Sequence, residues 1–247
     1  MADRDEILAY ANELLDLDAY PDYAPMGMQV PGAREVRRLV AGVSASLELF
    51  EQAAEAKADL ILVHHGFFWE RDPRAIDEVL KRRLQALFEA DMTLAAYHLA
   101  LDAHPEVGNN ALLARALGVE PERKFAGIGF GGALAEPIDI GAFTARATEV
   151  LEAEPLVFDH GPELIESAAI VTGGGGRFIA DAARESYDLF LTGEPEEGSL
   201  QASKELGIHF VAGGHYATER IGIKALAALL AERFELEWQF VELPNPV

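Results

Sequence analysis

Residues 58–69 read ADLILVHHGFFW, a short apolar run that leads directly into two adjacent histidines. The four aliphatic residues Leu60–Val63 predict a short buried strand. A helix is predicted before it at Leu47–Ala56, and a charged helix is predicted after it at Arg74–Ala90. This alternation of strands and helices predicts an α/β fold.

The same alternation continues to both ends of the chain. Asp3 is predicted to cap a first helix, with Glu6 at the position of a capping box. Further strands are predicted at Leu39–Val43, Thr93–Tyr97, Leu189–Leu191, Phe210–Ala212 and Trp238–Val241. Further helices are predicted at Asn109–Leu117, Ile140–Leu151, Ser199–Leu206 and Thr218–Arg233.

The composition excludes several classes of site. The 247 residues include no cysteine, which rules out disulfides, thiolate metal sites and a cysteine nucleophile. The net charge is −22, from 20 basic and 42 acidic residues, so we expect no binding to nucleic acids or anionic lipids. The amino terminus is acidic and no apolar run reaches the ~20 residues of a membrane span. We therefore expect a soluble, cytoplasmic protein.

Three segments with histidines and carboxylates follow predicted strands, and they read VHHGFFW, AYHLALDAH and AGGHYATE. The carboxyl ends of strands in an open α/β sheet form a functional crevice, so these side chains are expected to converge there. Five of the seven histidines lie in these segments. The other two, His160 and His209, are expected to be structural or exposed.

Each segment taken alone has another interpretation. His64 and His65 would point to opposite faces of a regular strand, so they serve one site only if the strand has ended, as Gly66 indicates. Asp102 lies between apolar neighbours, where a carboxylate needs a partner or a cation, but it could instead cap a helix. Glu219 could simply complement a helix dipole.

Taken together, the segments supply imidazoles and carboxylates, a ligand set that suits Zn, Fe, Mn, Co or Ni. A single catalytic metal usually takes about three protein ligands plus water. Five ligands therefore predict two divalent metal ions per chain that share one carboxylate, for which Glu219 is the natural candidate. The predicted metal ligands are His64, His65, Asp102, His215 and Glu219.

Two other motifs leave alternatives open. Gly173–Gly176 lies between a predicted strand and a helix, where a phosphate cradle can form, but it lacks the P-loop and dinucleotide-binding patterns. A tight turn is the preferred interpretation. Glu194, in the sequence Leu191-Thr-Gly-Glu-Pro195, could line the crevice or cap a helix.

The segments MGMQV, ADLILVHHGFFW, YHLALDAHPEVGNN, TGGGG, LTGEP and GGHYATE occur in this order and together resemble one known family. It is the family of dinuclear metal-centre hexameric proteins, also called NIF-three-like proteins and described as GTP cyclohydrolase type-two homologues. The resemblance extends from Ile7 to Val241. The chain departs from the family pattern at Met26, where asparagine is common, and at Gly66, where proline is common.

The resemblance implies metal ligands at the five predicted positions and places His98 beside the metals. It also implies two linked α/β domains and a homohexamer with metal sites facing an internal cavity. Because the candidate ligands come from both the first half and the last fifth of the chain, those two parts must fold together. We therefore predict a metal-binding domain of residues 1–124 plus 189–247, with residues 125–188 as an inserted second α/β unit.

The leading functional prediction is a metal-dependent hydrolase of a small molecule, with a metal-activated water as nucleophile and His98 as the catalytic acid or base. The resemblance points to a nucleotide substrate, GTP. A phosphoesterase is the alternative enzyme. A metal-dependent scaffold, metal-insertion factor or regulator would use the same residues without catalysis. A nucleotide-binding module built on Gly173–Gly176 would need cationic partners, and Arg177 is the only candidate nearby.

Overall fold

A computed structural model describes residues 1–73 and 75–247 and divides them into two α/β units. The first unit comprises Met1–Leu101 and Ile223–Leu243, and the second comprises Asp102–Gly222 and Pro244–Val247. The predicted α/β class with two units is confirmed. None of the helices in the described residues is long and apolar enough to cross a membrane.

The elements are numbered in chain order. The strands are β1 (Ala2–Asp3), β2 (Gly27–Val30), β3 (Glu35–Val36), β4 (Arg38–Ser44), β5 (Leu60–His65), β6 (Thr93–Ala96), β7 (Arg123–Phe125), β8 (Gly129–Ile138), β9 (Leu156–Phe158), β10 (Ile165–Val171), β11 (Leu189–Thr192), β12 (His209–Ala212) and β13 (Glu237–Phe240). The helices are α1 (Arg4–Leu14), α2 (Leu47–Glu55), α3 (Glu78–Glu89), α4 (Leu99–Asp102), α5 (Asn109–Ala116), α6 (Ile140–Leu151), α7 (Ile179–Arg184), α8 (Ser199–Leu206) and α9 (His215–Phe234).

The first unit contains a five-stranded sheet in the order β13-β4-β5-β6-β2. Neighbouring strands are parallel except at the edge, where β2 runs antiparallel to β6. The central strand β5 is buried along almost its whole length, which explains its uninterrupted aliphatic sequence. His64 and His65 end β5, and His98 lies two residues beyond the end of β6. The adjacent parallel strands therefore bring three imidazoles to one edge of this sheet.

The second unit contains a six-stranded sheet in the order β7-β8-β10-β11-β12-β9. The three strands β10, β11 and β12 are adjacent and parallel. The loops after β10 and β11 carry Gly173 and Glu194, and the two-residue connection after β12 leads into α9, which begins with His215. This edge of the second sheet therefore gathers the glycine-rich turn, a carboxylate and an imidazole.

The boundary between the units differs from the predicted one. Residues 189–192 and 209–212 were expected in the domain formed by the chain ends, but β11 pairs with β10, and β12 pairs with β11, in the sheet of the second unit. The second unit therefore begins before the predicted residue 125 and continues beyond residue 188. The three strands that precede the candidate ligands consequently belong to two sheets rather than one.

Three local predictions also need correction. Strand β5 includes both His64 and His65, so the strand does not end before them as expected. Helix α9 begins at His215 rather than Thr218, because the Thr218 amide already donates to the Gly214 carbonyl at 3.0 Å. The predicted helix start at Arg74 lies outside the described residues. Helix α3 begins at Glu78, where Asp77 accepts a hydrogen bond from the Leu80 amide at 2.8 Å.

Candidate metal centre

The first unit brings His64, His65 and His98 into one cluster. One ring nitrogen from each of them lies within 4.8 Å of the corresponding atoms of the other two. The ring centroids of His64 and His65 are 4.6 Å apart, and that of His98 is 5.1 Å from His64 and 5.5 Å from His65. His64 is fully buried and His98 is 7% exposed. Adjacent residues of one strand thus place their rings side by side at its carboxyl end.

Each imidazole of this cluster is anchored through Nδ1. His64 Nδ1 donates to the Tyr97 carbonyl at 2.8 Å, and His65 Nδ1 is 3.0 Å from Ser44 Oγ. Since a carbonyl can only accept, the neutral His64 ring carries its proton on Nδ1 and its lone pair on Nε2. This arrangement is typical of metal-binding histidines, in which an outer hydrogen bond fixes the tautomer and the ring orientation.

His98 is anchored by Asp22, a residue that was not among the predicted functional residues. The Asp22 carboxylate oxygens lie 3.1 and 3.0 Å from His98 Nδ1. Burial raises the pKa of the Asp22 carboxyl. The hydrogen bond from His98, the charge of His98 and the hydrogen bonds from two backbone amides lower it, and together they hold the pKa of Asp22 below its usual value. The segment YPDYAP that contains Asp22 reads only as a connector, so no local signal identifies it.

Two residues of the second unit, His215 and Glu219, form a pair on the first turns of α9. His215 Nε2 lies 3.0 Å from Glu219 Oε2, as expected for residues four apart on one helical face. On its other side, His215 Nδ1 makes a short contact with Glu194 Oε1. Of the two roles considered for Glu194, lining the site is therefore the one supported. Glu219 is only 3% exposed.

The electrostatic environment of His215 favours positive charge. Burial opposes protonation of the imidazole, but Glu219 and Glu194 outweigh that cost and raise the pKa of His215 to about 9. Two carboxylates on opposite sides of one ring therefore create a position where a cation is stabilised. A divalent metal carries such charge, so the surroundings of His215 fit the predicted ion.

Asp102 is buried in the second unit, with 3% of its surface exposed, and it belongs to a polar network. Its Oδ1 accepts a hydrogen bond from Asn109 Nδ2 at 2.8 Å, and Thr172 Oγ1 lies 3.4 Å away. Asn109 Oδ1 in turn accepts from the Gly222 amide of α9 at 2.7 Å. Asn109 thereby connects Asp102 to the helix that carries Glu219. Sequence reasoning missed this role of Asn109, although Asn109 lies within the quoted GNN motif.

The glycine-rich turn after β10 makes room for the Glu219 carboxylate. Gly173 has φ of +63°, and a Cβ at this position would overlap Glu219 Oε1 and lie 3.1 Å from His215 Nε2. The Gly173 carbonyl accepts hydrogen bonds from the amides of Gly175, Gly193 and Glu194. The Gly173 amide itself donates to Thr218 Oγ1 at 3.1 Å. These bonds support the interpretation as a tight turn over that as a phosphate cradle.

The other three histidines are not part of either cluster. His104 Nδ1 accepts from the amides of Glu106 and Val107, at 3.2 and 3.1 Å, in the turn after α4. His209 is buried on β12, where its Nδ1 accepts from the Gly161 amide at 3.2 Å and its Nε2 donates to the Pro162 carbonyl at 2.8 Å. This agrees with the structural role predicted for it. His160 is only partly buried.

The kinds of side chain found in these two sets suit transition-metal ions. The first unit offers three imidazoles, and the second offers one imidazole and two buried carboxylates, at Asp102 and Glu219. Borderline metals such as Zn, Fe and Mn take this mixture of nitrogen and oxygen ligands. The chain thus contains side chains that could hold a metal.

Comparison with known proteins agrees with these features. Residues 2–246 match the model of a family described as Duf34/NIF3 (NGG1p interacting factor 3). A Pseudomonas aeruginosa protein named GTP cyclohydrolase 1 type 2 homolog is 44% identical, covering 96% of this chain and 95% of its own. A Pasteurella multocida protein of the same name is 42% identical, covering 98% of each chain. The solved structure of protein ybgI, described as of unknown function, superimposes with a TM-score of 0.97 at 40% identity, covering both chains fully.

Proposed function

The chain belongs to the Duf34/NIF3 family, and we propose that it binds two divalent metal ions and uses them to hydrolyse a small molecule. In this proposal Glu219 is shared between the ions, because a bridging carboxylate offsets the repulsion between two cations. His64, Asp102 and Glu219 would hold the first ion, and His65, His215 and Glu219 would hold the second.

The observation that carries the proposal is that all three proposed histidine ligands are oriented in advance. His64 and His65 are anchored through Nδ1 by Tyr97 and Ser44, and His215 is anchored through Nδ1 by Glu194. The Tyr97 carbonyl fixes the proton of His64 on Nδ1, so Nε2 is the nitrogen that this ring would offer to a metal, while Ser44 and Glu194 hold the rings of His65 and His215 in position.

A bound divalent ion supplies a Lewis acid and lowers the pKa of water towards neutrality. Catalysis then needs a group that moves a proton, and His98 takes this role in the proposal. It lies against the rings of His64 and His65, but the five-ligand set is complete without it. A positioned acid or base of this kind contributes roughly 10²-fold or more to the rate.

The proposed substrate is a purine nucleotide, GTP, and the proposed reaction is hydrolytic opening of the purine ring. The support is the name of relatives that are 40–44% identical over nearly the whole chain. A phosphoesterase acting on a nucleotide is the second candidate, since phosphatases also use a pair of metal ions.

The test is turnover by protein reconstituted with Mn, Fe or Zn. Ring opening changes the ultraviolet spectrum of GTP, whereas a phosphoesterase releases phosphate without that change, so two readouts separate the candidates. His98→Ala should retain its metal and lose ~10²-fold or more of the rate. Two bound metals without turnover of GTP or simple phosphoesters would contradict the hydrolase and favour a scaffold or regulator.

A further inference from the structure

Asp22 is a buried carboxylate that the proposed ligand set does not use. It lies in the loop between α1 and β2, and its side chain is only 1% exposed. An ionised carboxylate in such a position is costly unless its oxygens accept hydrogen bonds or it faces a cation. The contacts of Asp22 therefore indicate the role of its negative charge.

Asp22 is held by backbone amides as well as by His98. Its Oδ2 accepts from the Leu99 amide at 3.0 Å, at the first residue of α4, and its Oδ1 accepts from the Ala24 amide at 3.2 Å. Since an amide N–H can only donate, both oxygens act as acceptors and the carboxylate is fixed in one orientation. Asp22 thereby ties its own loop to the segment that carries His98.

The contact between the Asp22 carboxylate and His98 Nδ1 determines the tautomer of His98. A carboxylate that already accepts two amide hydrogen bonds favours a third donor, so the neutral imidazole carries its proton on Nδ1. Its lone pair then lies on Nε2, on the opposite side of the ring. Trp69 and Tyr23 pack edge-on around this ring, with centroids 5.3 and 5.2 Å from it, and limit its rotation.

We propose that Asp22 is a positioning residue: it holds His98 as the Nδ1–H tautomer, with the Nε2 lone pair available to take up a proton beside His64 and His65. The proton-transfer role rests on the proposed function, whereas the tautomer does not. Asp22 does not touch the substrate or the metals in this account and acts only through His98.

His209 is a second histidine beside an aspartate, and it can be compared with His98. Asp159 Oδ1 lies 3.2 Å from His209 Nδ1, but Asp159 is 65% exposed and the Gly161 amide also donates to the same nitrogen. His209 Nε2 donates to the Pro162 carbonyl, so this ring carries its proton on Nε2. Proximity of an aspartate alone therefore does not set the tautomer. The burial and amide contacts of Asp22 distinguish it, and Asp159→Asn is the matched control variant.

Neutron crystallography of the zinc-reconstituted, deuterium-exchanged full chain at mildly alkaline pH tests the proposal directly. We expect deuterium on His98 Nδ1 and none on Nε2, with the reverse on His209. Deuterium on His98 Nε2, alone or together with Nδ1, would overturn the assignment. Zinc bound to His98 Nε2 would also overturn it, because the lone pair would then not be available for a proton.

The variant Asp22→Asn provides the functional test. One acceptor oxygen becomes an amide donor, so the preference for the Nδ1–H tautomer is lost. We expect kcat to fall at least tenfold with KM and metal content unchanged, whereas Asp159→Asn leaves all three unchanged. Unchanged kcat in Asp22→Asn would refute the positioning role. Absence of turnover in the unmodified protein would instead refute the proposed function. The neutron experiment would still decide the tautomer of His98 in that case.

Discussion

Glu219 is the residue on which the proposed centre depends most, since it is buried, contacts His215 and is the only ligand assigned to both ions. We predict that Glu219→Gln weakens the binding of both metals, because a neutral amide cannot offset the repulsion between two cations. His65→Ala should mainly remove one ion. Metal titration followed by elemental analysis measures both variants. Loss of a single ion in Glu219→Gln would refute the bridging role.

Glu194 tests whether the anchoring of His215 matters for binding. Replacement by Gln removes the charge beside Nδ1 and should reduce metal affinity about 10- to 100-fold, as observed when outer partners of metal-bound histidines are changed. Glu197→Gln, an exposed position three residues later, is the control and should bind normally. Equal affinities of the two variants in a competition titration would show that the contact is incidental.

Single residues also mark the limit of what the sequence predicts. The candidate ligands could be identified because each is a histidine or carboxylate at the end of an apolar strand or in the segment that follows it. Their anchoring partners could not, because the contacts are distant in sequence: Asp22 is 76 residues from His98. Backbone acceptors such as the Tyr97 carbonyl could not be predicted either, because every residue has a carbonyl whatever its side chain.

At the scale of elements, the turn after β10 connects the glycine-rich motif to the centre. We predict that Gly173→Ala loses metal, because the added Cβ would displace the Glu219 carboxylate and the positive φ disfavours any side chain. The control is Gly174→Ala, where a Cβ would meet no atom within 4 Å. Elemental analysis of both proteins, with circular dichroism to verify folding, separates them. Full metal content in Gly173→Ala would contradict the account.

The bounds of a helix could be predicted where residues at its own ends cap it. Helix α6 has the predicted bounds, and Asp139 caps it by accepting from the Ala142 amide at 2.8 Å. Strands β11 and β12 were also predicted, but the sheet that contains them was not. The pairing of β11 with β10, and of β12 with β11, is determined by packing and not by the residues of either strand alone. Pairing between strands is the non-local part of the fold.

The whole molecule has a net charge of −22, which attracts cations and opposes association with nucleic acids. The family resemblance leads us to propose a homohexamer. We predict that light scattering at micromolar concentration reports an assembly larger than a dimer of the 26.8 kDa chain. A stable monomer under the same conditions would refute this proposal without affecting the metal ligands.

Elemental analysis of the gently purified protein, before and after reconstitution with Mn, Fe or Zn, tests most directly whether the chain binds two metals. We predict close to two transition-metal ions per chain, because five candidate ligands with one shared carboxylate suit two ions. The same measurement on His209→Gln, outside both clusters, should give the same number. A reconstituted protein that contains no transition metal would contradict the account.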